Sequence, residues 1–390
     1  MKKQRVLLGI ITALFWFGQY TYPPYFGPYL SALGATATFI GFASGCYGLS
    51  QLICRIPIGI VSGLLNKHRV FVILGLLLSG VSAACMQLTT QPVWVMALRV
   101  LSGIGASMWV NYTVLFTSYY PQKENHLAIS TINVYCYVGR LAASLAGALS
   151  AQFFSISAPF YASFAGCATG LVLCFFLKDI EQPPQTAKFT ELVHACRSGH
   201  LLFSCFLAFL FYCMLFPTTN SFTSNYAETL NASASQVGLI ALSYNLIATL
   251  LTFLSGRYLL QKLGEKGSLI LGFFSMGAHC FLLSFARSAQ AIILLQILAG
   301  IGGGIVLPLT MSMAIKRVDA ARKSTFMGAY QALYAAGMML GPMVAGLLIE
   351  RFGYEASFFS LGGLGLAGGI IIMLLYPGID AQDQLRWKSV

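Results

Sequence analysis

The stretch YCYVGRLAASLAGALSAQFF, residues 135–154, contains a single charged residue, Arg140. A run of about 20 predominantly apolar residues is long enough to span the hydrocarbon core of a bilayer. An arginine near the centre of such a run is costly, so it usually marks a substrate or ion pathway. The stretch therefore predicts a membrane-spanning helix and makes Arg140 a candidate functional residue.

The composition of the whole chain favours lipid as its solvent. Of the 390 residues, 57% are hydrophobic and 9% are charged, and the mean hydropathy is +0.75. A soluble domain carries about 25% charged residues. Apolar runs of spanning length, separated by short polar or Gly/Pro breaks, lie near 6–30, 38–62, 70–88, 93–118, 126–152, 159–177, 201–226, 236–260, 268–286, 290–314, 324–349 and 356–376. The predicted fold class is an all-α membrane protein with twelve transmembrane helices.

The basic residues gather in alternate loops. With both termini on one side, most of the 23 Lys and Arg residues fall on that side, whereas Arg287 and Arg351 fall on the other. This asymmetry predicts cytoplasmic termini in a multi-pass protein of the cytoplasmic (inner) membrane. The net charge of +12 then reflects topology and attraction to anionic lipid. We expect membrane lipid as a partner, no nucleic acid, and a monomer.

No pattern in the chain indicates catalysis or a cofactor. The ten cysteines are scattered, mostly within the apolar runs, and show neither CxxC nor Cys/His spacing. There is no nucleophile–base pair, metal cluster or soluble catalytic domain. We therefore expect no enzyme activity, no cofactor and no metal site.

The two halves of the chain repeat one pattern. A displacement of 197 positions places RVLSGIG (99–105) on QILAGIG (296–302), and Gly41 on Gly238. A match sustained over several spans predicts a duplication. The predicted units are a six-helix bundle at 1–178, a cytoplasmic linker at 179–200, and a second six-helix bundle with a short cytoplasmic tail at 201–390. The linker is either an interfacial helix or a plain tether.

With these features the chain resembles the major facilitator superfamily over nearly its whole length. The family's fourth-span pattern, R-x-x-x-G-x-G, is intact as Arg99, Gly103 and Gly105. The family's motif after the second span reads here GIVSGLLNKHR from Gly59, with Gly63 in place of an aspartate.

A weaker likeness connects the chain to the drug-efflux-type members of that family. Their antiporter pattern, G-x-x-x-G-P-x-x-G-G, is interrupted in the fifth span, where Ala143 and Ser144 replace Gly-Pro. A better match, GMMLGPMVAG (337–346), lies in the eleventh span.

The resemblance implies two pseudo-symmetric six-helix bundles that rock around a site near the midplane and give a small organic solute alternating access. It assigns gating roles to Gly59, Gly63, Lys67, Arg69, Gly103, Gly256, Gly341 and Pro342. In this family the cavity is lined by spans one, four, seven and ten, then two, five, eight and eleven. Span one contains the stretch WFGQYTYPPYFGPY (16–29). The predicted substrate-binding residues are Arg140, Arg99, Gln19, Tyr22, Asn111, Asn133, Tyr137, Tyr212, Asn220, Tyr244, Asn245, Gln331 and Tyr334.

Three arginines lie within spans, and none of the eleven Asp and Glu residues falls deep in one. Arg140 is too far from either end of its span to snorkel. It must face a wet cavity, bond to carbonyls and hydroxyls, or bind an anion. For Arg99 a gating role and a packing role are both open. Arg55 is expected to snorkel to the cytoplasmic interface.

Three functions are compatible with the sequence. The favoured one is a secondary transporter of a small organic solute, anionic or zwitterionic, because the arginines in the spans have no buried acid. The second is a proton-coupled antiporter that exports drugs or metabolites; the aromatic residues support it, and the missing membrane carboxylate weakens it. The third is a non-transporting receptor or scaffold.

Overall fold

A computed structural model describes residues 2–121, 124–179, 199–254, 258–315 and 323–387. Within these ranges, nine helices are long and apolar enough to cross a membrane. A shorter apolar helix at Ala158–Cys174, the helix pair at 2–32, and a break at Gly353 inside the last element add three crossings. The predicted twelve spans and the all-α fold class are thereby confirmed.

The spans are numbered in chain order. Span one is Lys2–Thr21 with Pro23–Ala32, span two Ala37–Leu65, span three His68–Met86, span four Pro92–Ser107 with Trp109–Ser118, span five Asn125–Phe153 and span six Ala158–Cys174. Span seven is Gly199–Pro217, a π-helical turn at Thr218–Phe222, and Thr223–Thr229. Spans eight, nine and ten are Ala234–Leu254, Leu260–Leu283 and Ala289–Ile315. Helix Lys323–Trp387 provides spans eleven (323–352) and twelve (354–387).

Two names fix directions in the bundle. The terminal face is the end that holds Lys2, and the distal face is the opposite end, which holds the loop at 33–36. Spans one to six form the N-terminal half and spans seven to twelve the C-terminal half. The expected linker helix, within 180–198, and Gly256 lie outside the described residues.

Local chemistry explains where the helices start and break. Span two begins at Thr36, whose side chain accepts a hydrogen bond from the Phe39 N–H and so satisfies a free donor of the first turn. Gly353 has φ 84°, in the left-handed region that glycine adopts readily, so the chain reverses there between spans eleven and twelve. In span seven the π-helical turn follows directly after Pro217, which cannot donate a backbone hydrogen bond.

The outer surface of the bundle is apolar. Large hydrophobic side chains are widely exposed, among them Phe154 at 84%, Leu88 at 79% and Leu374 at 72%. Exposed apolar surface of this extent is unfavourable in water and marks contact with another apolar phase. The bundle therefore presents its exterior to lipid.

Glycines allow the helices of each half to approach closely. A Cβ atom at Gly103 would lie 2.7 Å from the carbonyl oxygen of Tyr47, and one at Gly341 would lie 2.7 Å from that of Cys213. A Cβ atom at Gly139 of span five would overlap the carbonyl oxygen of Ala13 in span one. Small residues at these positions let backbones touch, which is a main source of helix association in lipid.

Gly139→Val is expected to destabilise the N-terminal half. The added side chain has no room beside Ala13, and overpacking of this kind costs about 1–3 kcal/mol. The melting temperature of purified, ligand-free protein in a neutral detergent measures the effect. Gly363→Val is the matched control, because a Cβ atom there meets no atom within 4 Å. Equal melting temperatures for the two variants would contradict the packing at Gly139.

Two long contacts join the halves. Span two packs along span eleven, and span five packs along span eight. We call these contacts the 2–11 seam and the 5–8 seam. At the distal end of the 2–11 seam a Cβ atom at Gly41 would overlap the carbonyl oxygen of Pro342, and Gly346 packs against Ala37. The Thr38 N–H also donates to the Glu350 carboxylate (2.9 Å).

Spans one and seven close the distal face between the seams. The side-chain amide of Asn225 donates to the Ser31 hydroxyl (2.7 Å), and Gly27 lies against Asn225 and the Ser221 carbonyl. Toward the terminal face the packing is looser. A Cβ atom at Gly59 would meet only Val110, at 3.9 Å, and one at Gly328 would meet nothing within 4 Å. The halves are thus in tight contact at the distal face, whereas Gly59 and Gly328 have open space beside them.

Candidate functional site

Arg140 lies on span five, where the two halves meet. Asn133, Tyr137, Arg140 and Ser144 follow one another at steps of four, three and four residues, which places them on one face of span five. The guanidinium carbon of Arg140 lies 4.2 Å from the ring centroid of Tyr20 and 5.8 Å from that of Tyr137. Both distances are within the range of a cation–π interaction.

Tyrosines from both halves surround this guanidinium. Tyr244 of span eight lies within hydrogen-bonding reach of Arg140. Tyr212 and Tyr334 stack with ring centroids 4.6 Å apart and planes 17° apart, and Tyr20 lies near Tyr334. We call this set the tyrosine cluster; it consists of Tyr20, Tyr137, Tyr212, Tyr244 and Tyr334.

No carboxylate neutralises Arg140 within the described residues. The ion pair present there, Arg287 with Glu355 (2.7 Å), lies in an exposed position at the distal face. The Nε atom of Arg140 is buried and has no hydrogen-bond partner. Arg140 is therefore a partly buried cation whose neighbours are neutral rings and hydroxyls.

Arg55 occupies the 2–11 seam, contrary to the expectation that it snorkels. It is 4% exposed. One terminal nitrogen donates to the side-chain oxygen of Gln331 (3.0 Å) and to the Tyr334 hydroxyl (2.8 Å), and the other donates to the side-chain oxygen of Gln51. Because these partners hold the guanidinium inside the bundle, Arg55 connects the two halves.

Two hydrogen bonds cross the 5–8 seam on either side of Arg140. On its distal side the Asn245 amide donates to the Ser144 hydroxyl (2.9 Å). On its terminal side the Thr252 hydroxyl donates to the Tyr137 hydroxyl (3.3 Å). These contacts place Tyr137 and Asn245 at the boundary between the halves, beside the guanidinium.

Arg99 lies in a hydrogen-bonded network inside the N-terminal half. Arg99 is 2% exposed and donates to the Tyr22 hydroxyl, and its guanidinium carbon lies 4.3 Å from the ring centroid of Tyr47. The Tyr22 hydroxyl is 3.0 Å from that of Ser102, and Gln19 donates to the Ser102 carbonyl (3.3 Å). The structure thus does not bring Gln19, Tyr22 or Arg99 to Arg140.

The remaining amides have local partners. Asn111 is fully buried, with its side-chain oxygen 3.0 Å from Nδ1 of His68. Asn133 donates to the Ile129 carbonyl (2.9 Å), and Asn220 donates to the Thr219 hydroxyl (2.8 Å) in the π-helical turn. Asn111 packs away from Arg140, whereas Asn133 shares its helix face.

The candidate gating residues lie in different parts of the bundle and differ in their contacts. Gly103, Gly341 and Pro342 lie where helices pack closely, as described above. Gly59 and Gly63 lie in the terminal part of span two, and Lys67 precedes span three. Arg69 donates to the carbonyls of Cys174 (3.1 Å) and Phe175 (3.2 Å), so it ties the start of span three to the end of span six.

Tyr20, beside Arg140, and Tyr47, beside Arg99, are not in the predicted set. Arg55 lies in the 2–11 seam and not at the membrane interface as expected. On span one, Leu8, Thr12, Phe15, Gln19 and Tyr22 form a stripe at steps of three and four residues, and each is at most 3% exposed. That spacing is typical of a packing face. This spacing in the sequence indicates that Gln19 and Tyr22 face their own half. Tyr20 does not belong to the stripe, and its side chain faces the centre of the protein.

The chain combines an apolar exterior, two bundles in contact along seams, and a polar site between the bundles. This combination is typical of multi-pass membrane transporters. The family model described as Major Facilitator Superfamily matches residues 8–226 and 201–386. The chain belongs to the major facilitator superfamily. It is therefore a membrane transporter of a small-molecule substrate and not an enzyme.

Individual relatives are distant. An uncharacterized MFS-type transporter of Methanocaldococcus jannaschii is 24% identical over 90% of this chain and 92% of that protein. The multi-drug resistance efflux pump PmrA of Streptococcus pneumoniae is 26% identical over 68% of each chain. Among solved structures, a mutant of the nucleoside transporter NupG superposes with a TM-score of 0.82 at 14% identity and covers 96% of this chain and 100% of that one. A likeness at that identity shows the fold alone.

Proposed function

We propose that the protein transports a small organic anion or zwitterion across the cytoplasmic membrane. Arg140 carries the proposal: it faces the other half of the protein and has no carboxylate partner among the described residues. Even the partial removal of a cation from water is unfavourable when no counter-ion is present. An anionic group that enters between the halves would relieve this cost and would gain a charge-assisted hydrogen bond.

The proposed mechanism is alternating access. The bundles at 1–178 and 201–390 act as a monomer and rock about the Arg140 site, both termini being cytoplasmic. The tight distal face and the looser terminal positions support an arrangement in which the site opens toward the termini. The tyrosine cluster supplies flat apolar surface and hydroxyl groups, which suits a small organic molecule.

A ligand panel tests the sign of the substrate charge. Purified protein is heated with carboxylates (benzoate, glutarate), an amino acid (phenylalanine), glucose or tetraphenylphosphonium, at constant ionic strength. A ligand that binds only the folded state adds about 2.7 kcal/mol of stability at a concentration of 100 Kd. We expect a higher melting temperature with a carboxylate or the amino acid and no change with tetraphenylphosphonium. Stabilisation by the cation alone would contradict the proposal.

Proton-coupled efflux of drugs or metabolites is the second candidate. The tyrosine cluster favours it, because aromatic walls also bind lipophilic cations, and one relative is a multi-drug resistance efflux pump. Against it, the described acids in the spans all lie near span ends; they are Glu228, Glu265, Glu350, Glu355, Asp380 and Asp383. Efflux predicts stabilisation by tetraphenylphosphonium and transport that requires a proton gradient.

A further inference from the structure

We infer that Arg55 is a second anion-binding residue and that the preferred substrate is an organic dianion with its two charges at opposite ends. The inference rests on the proposed function and narrows its substrate class. Arg140 would hold one anionic group beside the 5–8 seam, and Arg55 would hold the other in the 2–11 seam.

Arg55, like Arg140, is a cation without an anionic partner among the described residues. Its hydrogen bonds go to Gln51, Gln331 and Tyr334, which are all neutral. Its Nε atom is buried without a partner, and no described carboxylate pairs with it. Neutral partners satisfy donors but leave the charge of a buried cation uncompensated. A carboxylate offers the paired oxygens that a guanidinium binds best.

The tyrosine cluster connects the two arginines. Tyr334 accepts the hydrogen bond from Arg55 at 2.8 Å and lies near Tyr20, whose ring centroid is 4.2 Å from the guanidinium carbon of Arg140. Arg55 is ten residues from the terminal end of span two, and Arg140 is fifteen residues from that of span five. At 1.5 Å per residue, this difference of five residues places the two at depths that differ by about 7.5 Å.

This arrangement favours an elongated ligand. The seams lie on different sides of the site, since one joins spans two and eleven and the other joins spans five and eight. One end group can replace the Tyr334 hydroxyl on Arg55 while the other faces Arg140. A monoanion can neutralise only one of the two guanidinium groups, so the second anionic group should add affinity.

Matched pairs of carboxylates test the inference. Terephthalate is compared with benzoate, and glutarate with butyrate, by calorimetric titration of the purified full chain at fixed ionic strength. The readout is the ratio of the monoanion Kd to the dianion Kd within each variant. In the unmodified protein we expect a ratio of about 10 or more for at least one pair, since a charge-assisted bond is worth a tenfold change or more. In Arg55→Gln we expect it to fall below about 3.

The control is Arg287→Gln, which removes an exposed arginine at the distal face and should leave the ratio unchanged. A ratio near 1 in the unmodified protein, or a high ratio that persists in Arg55→Gln, overturns the dianion inference while the proposed function stands. Failure of both members of both pairs to bind, with binding of tetraphenylphosphonium, rejects the proposed function itself.

Tyr334→Phe gives an independent test if Arg55→Gln does not fold. Removal of the hydroxyl leaves one donor of Arg55 free for the ligand, so the ratio should rise by about threefold. A ratio that falls in Tyr334→Phe would overturn the role of Arg55.

Discussion

Replacement of Arg140 by glutamine is expected to weaken the binding of a monovalent organic anion such as benzoate by about 10- to 100-fold. A hydrogen bond to a charged group contributes about 1.5–3 kcal/mol, and 1.4 kcal/mol corresponds to a factor of ten in Kd. Glutamine keeps a donor at this position but removes the charge. Calorimetric titration and uptake of labelled anion into proteoliposomes measure the two consequences, in affinity and in transport.

The melting temperature of the ligand-free Arg140→Gln variant distinguishes a substrate-binding role of Arg140 from a structural role. Loss of one partner of a buried ion pair is strongly destabilising, because the other charge remains unpaired. Within the described residues Arg140 has no such partner, so ligand-free Arg140→Gln should melt at or above the temperature of the unmodified protein. Arg287→Gln controls for charge at an exposed site. Anion affinity unchanged in Arg140→Gln, together with a lower melting temperature, would make Arg140 a structural residue.

Gly41→Leu is expected to reduce transport at least about tenfold. Gly41 lies against the Pro342 carbonyl at the distal end of the 2–11 seam, and the Cα atom of Gly346 would be 3.2 Å from a Cβ atom there. A leucine cannot fit between these backbones, and overpacking costs about 1–3 kcal/mol or more. Since each half retains its own packing, the cost should fall on the closed distal face and shift the population away from it.

Proteoliposome uptake measures this effect, and Gly363→Leu provides the control. A Cβ atom at Gly363 meets nothing within 4 Å, so a leucine there should leave transport unchanged. Labelling of a cysteine introduced near the distal end of the 2–11 seam should increase in Gly41→Leu. Uptake by Gly41→Leu equal to that of Gly363→Leu would show that tight closure of this seam is not needed for transport.

The spans and the family could be predicted because their signals are local. Twenty apolar residues in a row span a bilayer wherever their neighbours lie, so the hydropathy of 135–154 was sufficient for span five. The pattern of Arg99, Gly103 and Gly105 lies within a single helix, so it can be recognised without knowing which helices pack against it. The positions of the acids also follow from the sequence, and because none lies deep in a span they leave open what neutralises Arg140.

The lining of the site could be predicted only in part. Tyr137 and Arg140 share a helix face by spacing alone, and the structure places both at the boundary between the halves. For span one, Gln19 and Tyr20 differ by one residue and therefore by about 100° around the helix. Contacts with spans two, three and four decide that Gln19 turns toward its own half, where it donates to the Ser79 hydroxyl (2.6 Å).

The sequence by itself determined that this protein lies in a membrane, has twelve spans and contains arginines within those spans but no acid deep in one. Only the tertiary structure decided where those arginines point. Arg55 and Gln331 are 276 positions apart, and nothing local to span two indicates that span eleven holds its guanidinium inside the bundle. Hydropathy is a sum over neighbouring residues, whereas helix rotation and seam pairing depend on residues of other spans, which no window of the sequence contains.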